Sequence, residues 1–573
     1  MRKIAFTPGT RSLSYLFNDL TDVFKFRASE KLPVSRSEKL SWTDISAAKK
    51  EEVNARIPSE WLIPEDLLPP TSQTKVDDFV ATSGFFTEGE IKITASSATD
   101  ITANIVAGTW TAEEVTKAFC KSAAVSHQLV NSLTYTQFPE AITAAKELDE
   151  EFSKTGKPRG PLHGVPVSLK DNINIKGAPS TIGFVAYANE KEEKNSYLVD
   201  LLVELGAIIY VKTNVPTAMM MAETVNNIFG TTTNPLNRKL TPGGSSGGES
   251  ALIASYGSPL GVGTDIGGSL RLPASTTGLF TVRFSGNRLP NFDFKAGMPG
   301  QEAIVSVQGP IARTLDDVIL YSKSIIDSEP WFKDPKLYPI PWREIQLPQK
   351  LKFAIIWDDG YVRVTPPIQR ALETTVAKLK NSGHEVVEWD NKPIGKVYNL
   401  LRRLFTADGG KTIRSQLEKG EEPAPKFMDN FLQSQEIGVY DVWQLQRERN
   451  QIWKEWLDQW NEIEGLDGII MAAAPYISAK HSKYTHAGYT GLFNLLDYSV
   501  AVFPCGVIGD RDIDVRKADE PPELNDVDKA TREEYDPNEI HGLPVGLQLI
   551  GRKLQEEKVL AMVGRVLEAV NAI

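Results

Sequence analysis

Cysteine is nearly absent from this 573-residue chain: only Cys120 and Cys505 occur, far apart in sequence. Two residues cannot build a disulfide framework or a cysteine metal cluster, and such sparse use fits a reducing compartment, the cytoplasm. Histidine is scarce too; its six residues are scattered and none forms an HExxH pair, so neither a metal nor another cofactor is expected. No run reaches the ~18 apolar residues of a membrane span; the best, Leu198 to Val211, is broken by Asp200 and Glu204. The N-terminus lacks the continuous apolar core of a secretory signal. An excess of positive charge is also missing: 63 Lys and Arg stand against 74 Asp and Glu, a formal charge of −11. Phosphate binding needs a concentrated basic face, so nucleic acid is not an expected partner. What remains is an ordinary globular composition, 41% hydrophobic, on a chain long enough to bury its core without covalent staples.

The first 75 residues read as an N-terminal arm and helical section, and 76–573 as the catalytic domain. The leader is mildly basic (Arg2, Lys3, Arg11, Lys25, Arg27), but Asp19 and Asp22 are unlike a mitochondrial presequence, and it is expected to pack on the body or on a second subunit. Trp42 to Arg56 is expected to be helical. Thr111 and Glu114 form a capping box that predicts an amphipathic helix over 112–128, followed by another over 138–155. Val165 to Lys170 and Ala207 to Lys212 read as strands separated by a helix at Leu198 to Leu205. The same alternation returns at 352–357, 366–382 and 384–389, a pattern that predicts an α/β body with buried strands. From about 285 to 350, aromatics, Pro and Gly interrupt the periodicity. Between Asp510 and Glu539, twelve acidic residues meet five basic ones, which reads as a solvated loop.

The chemistry concentrates in two Gly/Ser clusters around one apolar segment: Thr241-Pro-Gly-Gly-Ser-Ser-Gly-Gly-Glu-Ser250, then Gly261-Val-Gly-Thr-Asp-Ile-Gly-Gly-Ser-Leu-Arg271. Glycines let backbone N–H groups converge on one point without a Cβ in the way. Ile266, Gly267, Gly268 and Ser269 could form an anion-binding nest, which in an acyl-transfer enzyme would be an oxyanion hole. Neither cluster matches a nucleotide-binding loop. No histidine lies near these loops in sequence to serve as a base. A lysine serves when burial lowers its pKa, and Lys170, ending an apolar strand, is suitably placed.

In this combination the sequence resembles the amidase signature family. The two clusters look like that family's defining region, and Pro-Leu-His-Gly-Val-Pro-Val-Ser-Leu-Lys170-Asp matches its lysine motif. The spacings, 75 residues from Lys170 to Ser245 and 24 from Ser245 to Ser269, agree as well. The likeness runs from about Trp42 to the C-terminus and is strongest to the fungal acetamidase and general amidase branch. It implies one large α/β/α fold with a mixed, mostly parallel twisted sheet covered by helices. The implied activity is hydrolysis of a small-molecule carboxamide by a homodimeric enzyme, through a Ser-Ser-Lys triad. Ser269 would be the nucleophile, Ser245 behind a cis peptide the proton relay, and Lys170 the base. Ser246, Asp265 and Arg271 would fix the loops, and Met219, Met220 and Met221 would wall the substrate pocket. One departure is the segment Gly278 to Ser285, where Val282 and Phe284 flank Arg283; it puts the inherited pocket shape in question.

Other readings compete. Gly243 to Gly247 satisfies G-x-S-x-G, with Asp497 and His541 following in the order of an α/β-hydrolase esterase that would use Ser245. Against it, Arg238 to Pro242 is not the apolar strand that such an elbow needs. A catalytically silent binding subunit is disfavoured because all three triad residues are present, and a tRNA-dependent amidotransferase subunit is disfavoured by the acidic charge.

Overall fold

Ser41 caps the first described helix, Trp42–Ala55: its hydroxyl accepts from the Asp44 amide, and the Asp44 carboxylate accepts from the Ser41 amide. The structure is a computed structural model that describes residues 40–571 except 392, 393 and 518; the basic leader lies outside the described residues. Thr111 and Glu114 make the expected reciprocal cap on the helix Ala112–Val130. That helix buries Val115, Phe119 and Ala123 and packs against the helix Phe138–Thr155.

The strands, in chain order, are β1 (Leu133–Thr136), β2 (Pro166–Lys170), β3 (Ile208–Thr213), the two-residue hairpin β4 (Val225–Asn226) and β5 (Gly230–Thr231), β6 (Leu260–Asp265), β7 (Phe280–Arg283), β8 (Val307–Ala312), β9 (Lys352–Ile356), β10 (Glu385–Glu388), β11 (Gly468–Ala472), β12 (Val500–Ile508) and β13 (Pro544–Ile550). Eleven of them form one sheet in the order β1-β3-β2-β6-β8-β7-β12-β13-β11-β9-β10. Parallel pairing is confined to two blocks, β3-β2-β6 and β11-β9-β10. The strands between β6 and β11, and the edge strand β1, pair antiparallel. The fold is α/β with a mixed sheet. In β2, β3, β6, β8 and β11 every residue is buried, so the layers above and below cover both faces. Among the described residues no helix is long and apolar enough to cross a membrane.

Four local expectations change. The Gly-rich segment Leu260 to Asp265 is a central strand rather than part of a loop, and β8 lies inside the stretch that reads as irregular. The acidic run is not simply a solvated loop. It contains the helix Asp526–Glu534, and Asp514 and Asp528 are buried. Asp514 is held by Arg370 through two bonds of 2.7 Å, and Asp528 by Arg532 at 3.2 Å. Finally, the altered 280s form β7 in mid-sheet. There Arg283 is buried on Asp497 at 2.9 Å, and neither cavity beside Ser245 and Ser269 is lined by 280–285.

Candidate active site

Parallel neighbours present their C-terminal ends side by side, and β2 and β6 are such neighbours: Leu169 registers with Val262. Lys170 and Thr264 therefore meet at one edge of the sheet. Lys170 is fully buried. Its Nζ donates to Ser245 Oγ at 2.8 Å, to Thr264 Oγ1 at 2.8 Å and to the Thr264 carbonyl at 3.3 Å. Burial pulls the ammonium pKa down to about 7, although Asp265 and Glu249 favour the charged form. Glu249 sits beneath this centre, accepting from Ser168 Oγ at 2.6 Å and Thr213 Oγ1 at 2.7 Å. Burial pushes its carboxyl up to about 7 against those bonds and the nearby lysine.

The Gly244–Ser245 peptide is cis. Ser245 and Ser246 precede the helix Gly247–Ala254, and Ser269 lies in the tight loop between β6 and the helix Arg271–Thr277. Ser246 staples the two loops: its amide donates to the Ser269 carbonyl at 3.2 Å and its hydroxyl to the Thr264 carbonyl at 3.3 Å. This approach explains the glycine within β6, since a Cβ on Gly263 would lie 2.7 Å from Ser246 Oγ. Ser269 Oγ has no hydrogen-bond partner among the described residues and borders two cavities.

The backbone around Ser269 forms the nest with one correction. The Gly268 N–H is consumed by Asp265 Oδ1 at 2.8 Å, because a three-residue turn brings that carboxylate under the loop. The amides of Ile266, Gly267 and Ser269 have no acceptor among the described residues and stay open to a ligand. Gly268 has φ +125°, and a Cβ there would lie 2.0 Å from Thr490 Oγ1, so only glycine fits. Asp265 and Arg271 are buried together, Arg271 Nε donating to Asp265 Oδ2 at 3.0 Å. Burial alone would raise the Asp265 pKa, but the charge and hydrogen bonds of Arg271, with Arg283 and Asn494, hold it well below the usual carboxylate range.

Several contributors escape sequence reasoning. Thr264 receives Lys170, as described. From the helix Gly488–Leu496, Thr490 Oγ1 donates to the Gly267 carbonyl at 2.8 Å and Asn494 Nδ2 to Asp265 Oδ1 at 2.8 Å. Gln548 on β13 accepts from Arg271 at 3.3 Å. The signal for Thr490 and Asn494 was a polar pair four apart, hence on one face, of an otherwise apolar helix. Thr490 clamps the carbonyl side of the peptide whose N–H Asp265 holds. Thr490→Val is expected to lower kcat roughly tenfold through the loss of about 1.4 kcal/mol, with KM little changed. Thr490→Ser should restore it, as steady-state kinetics would show.

Met219, Met220 and Met221 line an apolar cavity of about 200 Å³ beside Ser269. The esterase constellation is not assembled. Asp497 is engaged by Arg283 and Lys553, the partially exposed His541 accepts from the Arg511 amide at 3.2 Å, and no strand leads into Ser245. Among the described residues no group of three His, Cys, Asp or Glu side chains could hold a metal ion.

Comparison with known proteins identifies the family. The family model described as Amidase matches residues 114–560. The acetamidase of Aspergillus oryzae is 40% identical over 546 residues, spanning 92% of this chain and 99% of its own. The acetamidase of Emericella nidulans is 38% identical over 542 residues, spanning 92% and 98%. Among solved structures, a fatty acid amide hydrolase superposes with a TM-score of 0.89 at 32% identity, covering 93% of this chain and 95% of that one. A family match over most of the chain, together with relatives aligned over 92% of it, shows that this protein belongs to the amidase signature family and is an enzyme that hydrolyses amides.

Proposed function

We propose that Ser269 is the acyl nucleophile, Ser245 the proton relay and neutral Lys170 the base, with the amides of Ile266, Gly267 and Ser269 as the oxyanion hole. The supporting observation is the fully buried Lys170 with its Nζ 2.8 Å from Ser245 Oγ. A neutral amine has two N–H bonds and one lone pair. The Thr264 carbonyl can only accept, so one of the two hydroxyls around Nζ must turn its proton toward the nitrogen. When Ser245 does so, its oxygen is free to receive the proton of Ser269. Ser269 Oγ then attacks the amide carbon, and its proton passes through Ser245 to Lys170. The carbonyl oxygen gains negative charge against the three open amides. The proton returns by the same route to the leaving nitrogen and the C–N bond breaks. Water repeats the sequence on the acyl-enzyme, releasing the carboxylate. The hydrogen bond from Ser269 to Ser245 forms when substrate fills the site; catalytic hydrogen bonds that are long without substrate tighten in the complex.

Met219, Met220 and Met221 are proposed to wall the substrate pocket, a task suited to flexible thioether side chains. An activated ester should leave an acyl adduct on the peptide containing Ser269, read by mass spectrometry, and none in Ser269→Ala. An adduct on Ser245 instead would revive the elbow reading. Residues 76–573 are assigned as the catalytic domain, and a cytoplasmic homodimer is the state that the family likeness and the two unpaired cysteines support. Light scattering should give twice the 63.3 kDa chain mass; a monomer would remove the dimer.

A further inference from the structure

The apolar cavity beside Ser269 carries a single formal charge. Among the described residues that line it, Arg402 is the one formally charged side chain, and no Asp or Glu accompanies it. Arg402 belongs to the helix Ile394–Phe405, which also supplies Leu401 and Phe405 to the apolar wall. Tyr398 lies one turn before Arg402 on the same face, and Asn430 lines the cavity from the helix Asp429–Leu432.

A surface arginine commonly finds a carboxylate or an aromatic face, and the next residue does so: Arg403 pairs with Glu448 at 3.4 Å. Arg402 does neither. Its side chain is exposed, yet its guanidinium makes no hydrogen bond, ion pair or ring contact among the described residues. Tyr398 beside it is held in place. Its ring packs on those of Tyr361 and His486, with centroids 5.6 and 5.3 Å away, and His486 is fixed by a 2.5 Å bond to the buried Asp359. The Tyr398 hydroxyl has no hydrogen-bond partner among the described residues. Burial, Tyr361 and Asp359 raise its pKa while the Arg402 charge opposes them, so cation and hydroxyl share one neighbourhood.

We propose that Arg402, with the Tyr398 hydroxyl and the Asn430 side-chain amide as further donors, is a carboxylate-binding site, and that the enzyme acts on amides whose chain ends in a carboxylate. The proposal rests on Ser269 as the point of attack, as in the Ser-Ser-Lys reading above. A guanidinium fork matches a carboxylate through two parallel hydrogen bonds, and one cation suits a single negative charge better than a phosphate dianion. An ion pair in open water is worth little. Here the substrate's own chain displaces water from the apolar cavity, and the attraction grows as the local dielectric falls. The contact is remote from the reacting carbon and equal in ground and transition states, so it acts on KM rather than kcat.

The test compares the monoamides of succinic, adipic and suberic acid with the matching diamides, which have the same length without the charge; diamide rates are halved for their two reactive ends. At the length that reaches Arg402, the monoamide is expected to exceed the diamide about tenfold in kcat/KM, the scale of one hydrogen bond to a charged group. The difference should lie in KM and shrink as salt is raised. Arg402→Gln should abolish the preference, and Arg402→Glu should turn it toward 6-aminohexanamide, whose chain ends in a cation. Each ratio is internal to its variant, so partial loss of folded enzyme does not affect it. Equal values at all three lengths, or a preference that both variants leave in place, would overturn the site. An adduct on Ser269 with no such preference would overturn it while leaving the triad intact. A preference that depends on Arg402, with no adduct on Ser269, would uphold the site and sink the triad reading.

Discussion

Lys170→Met is expected to lower kcat/KM by roughly 10²–10⁴-fold, the range that a positioned general base contributes, while leaving the protein folded. Wild-type activity should rise as pH climbs through about 7, where buried Lys170 loses its proton, and level off above. The residual activity of the variant should lack that limb. Stability rises with pH as well. The native lysine releases its proton near 7 and the unfolded one near 10.5. Between those values the unfolded chain holds the extra proton, so stability rises with pH across the window, and the cost of burying a cation is greatest below about 7. Methionine carries no charge into that site. The variant should therefore be at least as stable as wild type at pH 6 in urea unfolding, separating the chemical role of Lys170 from any structural one. Glu249→Gln tunes the same group: it removes a carboxylate that favours the ammonium, so the acid limb should shift to lower pH. A limb that stays in place in both variants would mean that another group titrates there.

What the sequence made legible divides by the range of the interaction that decides each feature. The helix Ala112–Val130 and strands β2 and β3 follow from local caps and apolar runs. β6 does not, because its Gly261 and Gly263 answer to distant neighbours. A Cβ at Gly261 would lie 2.1 Å from Glu249 Oε2, and a strand thinned this way reads as a loop. The triad was legible because its residues sit in recognisable motifs at recognisable spacings. Its supports were not, since Thr490, Asn494 and Gln548 reach the nest from more than 200 residues away. The capture of the Gly268 amide by Asp265 is local, yet invisible until the turn is seen. The apparent esterase order failed for the opposite reason: Asp497 and His541 have the right sequence order, but each is committed to other partners.

Arg271→Met is expected to be the most destabilising of these substitutions, by about 3–5 kcal/mol, the cost of leaving one half of a buried ion pair alone, and to abolish turnover. Arg271 is fully buried. It donates to Asp265 at 3.0 and 3.2 Å, to Asn494 Oδ1 at 2.6 Å and to Gln548 Oε1 at 3.3 Å. Asp265 in turn accepts from the Gly268 amide at 2.8 Å and the Leu270 amide at 3.2 Å, so the ion pair governs the backbone on both sides of Ser269. Because the pair depresses the Asp265 pKa, its stabilisation is present above the ordinary carboxylate range and fades as pH falls toward the folded value. The gap between wild type and variant should therefore be widest at neutral pH and narrow in acid. Arg271→Lys should not rescue activity, since an ammonium cannot reproduce the guanidinium fork. Adding Asp265→Asn to Arg271→Met removes the stranded charge and should recover part of the lost stability. Activity should not follow: an amide side chain offers one acceptor oxygen where the nest uses two, and the Leu270 N–H would face another donor. Stability and activity returning together in the double variant would show instead that the pair serves folding alone.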